Sequence, residues 1–333
     1  MPEARLPRIA VLATGGTIAG AQTDAVSGAY RAGSYGVGQL LAAVPQLAGL
    51  ARIGAEQIAN VGSQNMSHAV WRQLALRAAA LCDDPATDGI VITHGTDTLE
   101  ETAYFLSLVL PVDKPVVLLG AMRPATALSA DGPVNLYNAV ALACHPAARG
   151  RGPLVVMNED IHLARHVQKT AASGIAAFAS PNAGRAGVMQ GGRPVFHARA
   201  ERQAADALLR PDELPQHAWP RVDVVHACVD LDGELIDFMA GRAQGIVLAG
   251  VGDGNATDAA LQALQRASAR GVAVVRASRT GSGRVGRNIE IDDDACGFIA
   301  AGDLSPQKAR VLLTLGLCQT RDIARLQALF DSR

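Results

Sequence analysis

Short apolar, β-branched runs recur along this chain, and most are followed by a turn and then by a stretch of helical periodicity. Ile9–Ala13, Gly89–Ile92, Pro115–Gly120 and Leu154–Met157 read as buried strands, being short, almost free of charge and bounded by turn residues. Between them Gln39–Val44, Ser67–Cys82, Thr98–Leu110 and Gly132–His145 read as helices. Asp97 and Thr98 open the third of these, and Glu100 and Glu101 fall in its first turn, where the helix dipole favours negative charge. The glycine-rich stretch that ends at Gly38 reads as a mobile loop. Alternation of this kind predicts an α/β fold with a doubly wound, mostly parallel sheet covered on both faces.

From Ala171 to Arg199 the pattern shifts to glycines and short apolar pieces, as in hairpins. Residues 199–220 are polar and carry Pro211, Pro215 and Pro220, the composition of a linker. Strand and helix then alternate again. Val222–Val229, Gly245–Ala249 and Val272–Ala277 read as strands, and Asp258–Arg270, Pro306–Leu317 and Arg321–Phe330 as helices. Two domains follow from this, residues 1–198 and 221–333, with 199–220 between them.

Composition narrows the class of protein. Of 333 residues 49% are apolar and 18% charged, enough for a large core and against disorder. The net charge of -1, without a block of like charge, argues against nucleic-acid and membrane-surface partners. No apolar run reaches membrane-spanning length. Met1-Pro2-Glu3-Ala4-Arg5 lacks the basic-then-apolar layout of a secretory leader, so the expected compartment is the cytoplasm, or the periplasm if a leader was removed. Five cysteines without a CxxC pair, and eight histidines without HExxH spacing, predict neither a disulfide framework nor a metal site. No cofactor is expected. Only Lys114, Lys169 and Lys308 are lysines among 30 basic residues. A chain that otherwise uses arginine keeps a lysine where an amine able to lose its proton is useful, although ordinary packing accounts for at least one of the three.

Two segments concentrate the chemistry. Thr14-Gly15-Gly16-Thr17-Ile18-Ala19-Gly20 and Thr93-His94-Gly95-Thr96-Asp97-Thr98 each lie just past the carboxyl end of a predicted strand, where open α/β sheets bind ligands. Threonine hydroxyls beside glycines suggest a hydroxyl nucleophile with bare backbone N–H groups nearby, and so acyl transfer. Taken singly the segments stay ambiguous. Thr17 fits a capped turn, and Asp97 fits a helix N-cap as well as a ligand role. Gly281–Gly286 matches GxGxxG after a strand, but Asn288–Asp292 does not open a helix, so no dinucleotide site is expected. There is no P-loop and no GxSxG elbow.

Both segments resemble the signatures of bacterial L-asparaginases, the homotetrameric family with a threonine nucleophile. The likeness extends through Gly120–Pro124, Ser129–Pro133, Asn135–Ala139 and Pro306–Leu312. It implies a large amino-terminal domain, a linker and a smaller carboxyl-terminal α/β domain of flavodoxin-like type. By the same resemblance Thr17 is the nucleophile and Tyr30 the tyrosine of the active-site loop. Ser63 and Gln64 hold the substrate's carboxylate and amino ends, and Thr96, Asp97 and Lys169 form the threonine–lysine–aspartate cluster. Asn255 and Glu290 are the residues the family supplies from a neighbouring subunit. Read from the residues alone, Glu290 is better explained as one solvated member of the acidic run Glu290–Asp294, and Tyr30 fits an ordinary exposed loop aromatic. Asn65 departs from the aspartate frequent in the family. Val112 stands where some members pair a cysteine with the equivalent of Cys82, so that bridge is not expected.

The implied reaction is hydrolysis of L-asparagine to L-aspartate and ammonia. Burial would favour an uncharged amine at Lys169, able to relay a proton through Thr96. Glutamine differs by one methylene, which leaves room for a side activity on it. Asn255 leans toward asparagine, since glutaminase-leaning relatives often carry serine there. The amidase subunit of a tRNA amidotransferase is a second enzymatic reading. A non-catalytic amino-acid-binding protein is a rival from another class, which would be expected to lose Thr17, Thr96 or Lys169.

Overall fold

The computed structural model describes residues 5–22, 30–31, 36–111, 113–197 and 207–333. Contacts divide the chain into two compact units, Met1–Asp212 and Glu213–Arg333. The division falls inside the proline-bearing stretch, where Leu208 is buried and donates its N–H to the Leu108 carbonyl.

In the first unit β1 (Arg8–Gly15) leads through a short 3-10 turn at Thr17–Ala19 into a ribbon of β2 (Ala21–Gln22) and β3 (Tyr30–Arg31). There follow α1 (Val37–Ala42), β4 (Arg52–Val61), α2 (His68–Asp83), β5 (Gly89–Thr93) and α3 (Leu99–Val109). Next come β6 (Val116–Leu119), α4 (Gly132–Cys144), β7 (Pro153–Met157) and β8 (Asp160–Leu163). A small ribbon of β9 (Gln168–Lys169) and β10 (Phe178–Ala179) precedes β11 (Gly187–Gln190) and β12 (Arg193–Phe196). The main sheet has the order β12-β11-β8-β7-β6-β5-β1-β4. From β4 to β7 it is parallel, while β8, β11 and β12 add antiparallel pairs at the far edge.

The parallel part, β4-β1-β5-β6-β7, has the 2-1-3-4-5 order of flavodoxin-like sheets, with its switch point between β1 and β5. Strands β5, β6 and β7 are buried throughout, as two-sided coverage requires. Ile9 and Val11 of β1 pack with Leu136, Ala139 and Val140 of α4 in one core layer. Strand β4 has no counterpart among the predicted elements. It is the sheet edge and largely exposed, so its side chains carry neither the continuous apolar run of a central strand nor a clean alternation.

The second unit is a smaller parallel α/β layer. Its elements are β13 (Val222–His226), α5 (Glu234–Ala240), β14 (Gly245–Gly250), α6 (Asp258–Ala269), β15 (Ala273–Ser278), α7 (Asp293–Cys296), β16 (Phe298–Ala300), α8 (Pro306–Leu317) and α9 (Ile323–Ser332). The strands lie in sequential order, β13-β14-β15-β16. Right-handed crossovers that step in one direction put α5 and α6 on the same face, where Ile236, Ala260 and Leu264 pack on Ile246 and Val274.

Arg276 of β15 is fully buried and organises the loops of this unit. Its Nε and Nη2 grip both oxygens of buried Asp293 at 2.6 and 2.7 Å. Its Nη1 reaches the Asp253 carbonyl at 2.8 Å and Nη2 the Gly286 carbonyl at 3.0 Å. Asp253 Oδ1 accepts from Gly286 N–H at 2.9 Å, and Asp293 Oδ2 from Asn288 N–H at 2.9 Å. The GxGxxG stretch is therefore structural, with its last glycine tied to the guanidinium. Arg276→Ala leaves a buried carboxylate without its partner, which costs about 3–5 kcal/mol. Urea titration followed by circular dichroism should show a correspondingly lower midpoint, with the far-ultraviolet spectrum of the folded chain retained.

Candidate active site

The loops after β1 and β5 meet through their backbones. The two strands pair from Ile9 with Gly89 to Ala13 with Thr93, so both chains leave the sheet at one level. At Gly16, with φ of +89°, a Cβ would stand 2.4 Å from both the N and Cα of Gly95. A Cβ on Gly95 would in turn meet Ser63 Oγ at 2.6 Å. Only hydrogen fits at these two positions. Thr17 and Thr96, each the next residue in its loop, are carried into the same neighbourhood, and both are buried.

A third segment, the 3-10 turn Ser63–Asn65 that follows β4, closes on this contact. Ser63 Oγ accepts from Asp97 N–H at 3.1 Å, and Thr98 Oγ1 donates to the Ser63 carbonyl at 2.8 Å. The helix N-cap is Thr98, whose side chain makes no capping bond. Asp97 therefore does not cap the helix. Its Oδ1 accepts from Lys169 Nζ at 2.7 Å, and the same Nζ lies 3.0 Å from Thr96 Oγ1. Lys169 is mostly buried and Asp97 more than half exposed, so the pair presents its carboxylate outward. Of the other lysines, Lys114 caps α2 by donating to the carbonyls of Leu81 and Asp84.

Of the backbone N–H groups beside the two threonines, not all are bare. Gly16 N–H is committed to the Val61 carbonyl at 3.0 Å and cannot serve an oxyanion. The N–H groups of Gly95 and Thr96 have no acceptor among the described residues. Neighbouring segments shared with the family turn out to fix the loop after β6. Asp131 accepts from the N–H groups of Met122 and Arg123, both at 2.9 Å, and Asn135 Nδ2 donates to the Gly120 carbonyl at 3.1 Å.

Two residues, one in the second signature and one just beyond it, have roles that the sequence alone did not disclose. Glu100, placed by its pattern as a first-turn dipole residue, is buried, and its Oε2 accepts from Lys169 N–H at 2.5 Å. It therefore holds the backbone of the lysine whose amine faces Thr96. His94 is completely buried beneath the same loop. Its Nδ1 faces the Gly95 carbonyl at 2.7 Å, which can only accept, so Nδ1 carries the proton. Nε2 then accepts from Thr102 Oγ1 at 2.9 Å, and that oxygen accepts from Trp71 Nε1 at 2.8 Å. Burial pushes the His94 pKa down to about 4. The signal for both residues was the strand–turn–helix motif itself: polar side chains at the inner start of a buried helix must find partners.

The remaining predicted residues fall as follows. Gln64 is exposed, with its amide folded against Gly62. Tyr30 begins β3, opposite Gln22, and its side chain lies outside the described residues, as do 23–29 and 32–35 of the predicted loop. Cys82 is free, and Val112 lies outside the described residues. In the second unit Asn255 Nδ2 donates to Glu290 Oε2 at 3.0 Å. The acidic run is not uniformly solvated: Asp292 caps α7, Asp293 is the buried partner of Arg276, and Asp294 pairs with Arg287.

A hydroxyl–lysine–carboxylate cluster at the switch point of a doubly wound sheet, with bare backbone donors beside it, defines an α/β protein built to act on a small polar ligand. The family model for the N-terminal asparaginase domain matches residues 8–202, and that for the C-terminal glutaminase/asparaginase domain matches residues 221–330. The chain is 46% identical to L-asparaginase 2 of Escherichia coli (strain K12) and 45% identical to a probable periplasmic L-asparaginase of Haemophilus influenzae. In each case the match covers 98% of this chain and 93% of the relative. A crystal structure of a probable cytoplasmic L-asparaginase from Campylobacter jejuni superposes with a TM-score of 0.94 at 42% identity, covering 98% of this chain and all of that one. The chain belongs to the asparaginase family.

Two measurements check this construction. Glu100→Ala should lower turnover 10- to 100-fold at nearly constant KM, because it frees the backbone that aims Lys169, whereas Glu100→Gln, which keeps an acceptor oxygen, should recover most of it. The neutral His94 ring favours the folded state because its folded pKa lies below the ordinary value of 6.5. That contribution is complete above pH 6.5 and is lost as pH falls toward 4, by about 3 kcal/mol over the window. Urea titrations should therefore show the stability gap between wild type and His94→Gln narrowing from pH 7 to pH 4.5. A gap independent of pH would contradict the assignment.

Proposed function

We propose that this protein hydrolyses L-asparagine to L-aspartate and ammonia through an ester formed on Thr17. The observation that carries this reading is the Lys169 amine held between Thr96 Oγ1 and Asp97 Oδ1, on a loop in backbone contact with the one that bears Thr17. Thr17 Oγ attacks the carboxamide carbon, and the carbonyl electron pair moves onto oxygen. The hydroxyl proton leaves toward Thr96 and the Lys169 amine that contacts it. The N–H groups of Gly95 and Thr96 receive the oxyanion, each such donor lowering the barrier by about 3–4 kcal/mol. The tetrahedral carbon then collapses, the C–N bond breaks, and nitrogen takes the relayed proton to leave as ammonia. Water attacks the ester by the same route and releases L-aspartate with the Thr17 hydroxyl restored.

The zwitterionic end of the substrate fits the remaining groups. Asp97 and Glu290 supply negative charge for its ammonium, Ser63 supplies a donor for its carboxylate, and Ser63 and Gln64 together hold its carboxylate and amino ends. We assign Asn255 and Glu290 to the site of a neighbouring copy in a homotetramer built as a dimer of intimate dimers. The exposure of Glu290 and its bond to Asn255 support this, since a side chain held in place on the surface of one chain is available to another. A glutamine side activity is weaker, limited by about 1–3 kcal/mol of discrimination for one methylene.

Ammonia release from L-asparagine by the purified chain tests the reaction. Thr17→Ala should lower kcat by about 10⁴-fold or more while asparagine binding survives, as loss of a nucleophile does elsewhere. Unchanged turnover in Thr17→Ala would remove the nucleophile assignment. Co-refolding Thr17→Ala chains with Glu290→Ala chains, each nearly inactive alone, should restore activity if sites are shared between copies. A mixture no more active than its parts would show that they are not.

A further inference from the structure

A cavity of about 270 Å³ lies between α2 and the amino-terminal halves of β1 and β4. We propose that it is a binding site for a small oxyanion, a carboxylate or phosphate carried on a compact body. It is separate from the threonine cluster. The lining stops at Leu12 on β1, short of the loop beyond Gly15, and the arginine end at Arg8 is separated from that loop by the length of the eight-residue strand, on the order of 20 Å.

The cavity arises from side-chain size. Parallel pairing sets Arg8 beside Arg52, Ala10 beside Gly54 and Leu12 beside Glu56, all on the face that α2 covers. At the middle pair there is almost no side chain. A Cβ added at Gly54 would meet nothing within 4 Å, so the space there is open. Leu12 and Leu81 give it an apolar wall, and Arg8, Arg52 and Arg77 bring three guanidinium groups to it.

The charges there are unequally matched. Glu56 is engaged by Arg77 Nε at 2.5 Å. Asp84 is already turned to Ala86 N–H at 3.0 Å and to the Thr87 hydroxyl at 2.9 Å, bonds that hold its carboxyl below the usual range, with Arg8 adding a weaker electrostatic pull. Among the described residues the guanidinium of Arg8 forms no hydrogen bond, and that of Arg52 neither a hydrogen bond nor an ion pair. Two uncommitted forks beside an open, partly apolar recess suit bidentate capture of a carboxylate or phosphate, the geometry in which arginine exceeds lysine. The volume limits the ligand to metabolite size.

Calorimetric titration of the full chain, at constant ionic strength, with inorganic phosphate and separately with succinate tests the site and distinguishes its two chemistries. Saturable binding of either anion is expected, weakened at least tenfold in Arg8→Ala/Arg52→Ala. Both side chains are exposed and outside the core, so the double variant should keep the wild-type circular dichroism. Gly54→Leu fills the recess without touching an arginine and should abolish the same binding. Affinity and stoichiometry identical in all three chains, or no saturation below 50 mM for either anion, would overturn the proposal.

Discussion

The candidate site depends on two backbones touching at Gly16 and Gly95. Parallel strands β1 and β5 deliver their loops to the same edge, but ordinary side chains would hold those loops apart by the width of a methyl group or more. Hydrogen at both positions lets the loops meet, and the threonine after each glycine is then placed without any long-range constraint of its own. The Ser63 turn locks the contact from a third direction, and Lys169 arrives from the β9–β10 ribbon as a fourth. Function here is a property of sheet order: ligands bind beyond the carboxyl ends of the strands at the switch point, and it is there that these two loops meet.

Around that contact lies a layer of buried polar groups whose work is positional. Glu100 holds the main chain of Lys169, and His94 holds the carbonyl of Gly95. Asp131 and Asn135 fix the loop after β6. Each fixes backbone through a charge, a ring tautomer or an amide, and each is satisfied by a partner of matching polarity, as low-dielectric surroundings demand. Arg276 does the same in the second unit, where one guanidinium joins the segment before Asn255 to the segment around Glu290.

Much of this was legible in the residues. The buried strands and long helices announced themselves by period and composition, and so did the two threonine segments past their strand ends. The grouping of Thr96, Asp97 and Lys169 came from resemblance, since nothing local to Gln168-Lys169 points across 72 residues to Asp97. Strand β4 was invisible because an exposed edge needs no apolar pattern. Helix α5 was missed for a related reason: it has a single fully buried residue, Ile236, and so almost no stripe. The availability of backbone donors was also unreadable, since it depends on whether Val61 lies within reach of Gly16, a matter of register rather than residue type.

The chain Trp71–Thr102–His94–Gly95 has an optical corollary. The Trp71 indole stacks on Phe105 with ring centres 4.7 Å apart and donates its only N–H into that chain. Indole emission responds to the strength of its hydrogen bond and to the packing of its face. The fluorophore is thus wired to the loop that bears Thr96 through the side chains of Thr102 and His94, and the molecule carries its own spectroscopic gauge of whether that loop is in register.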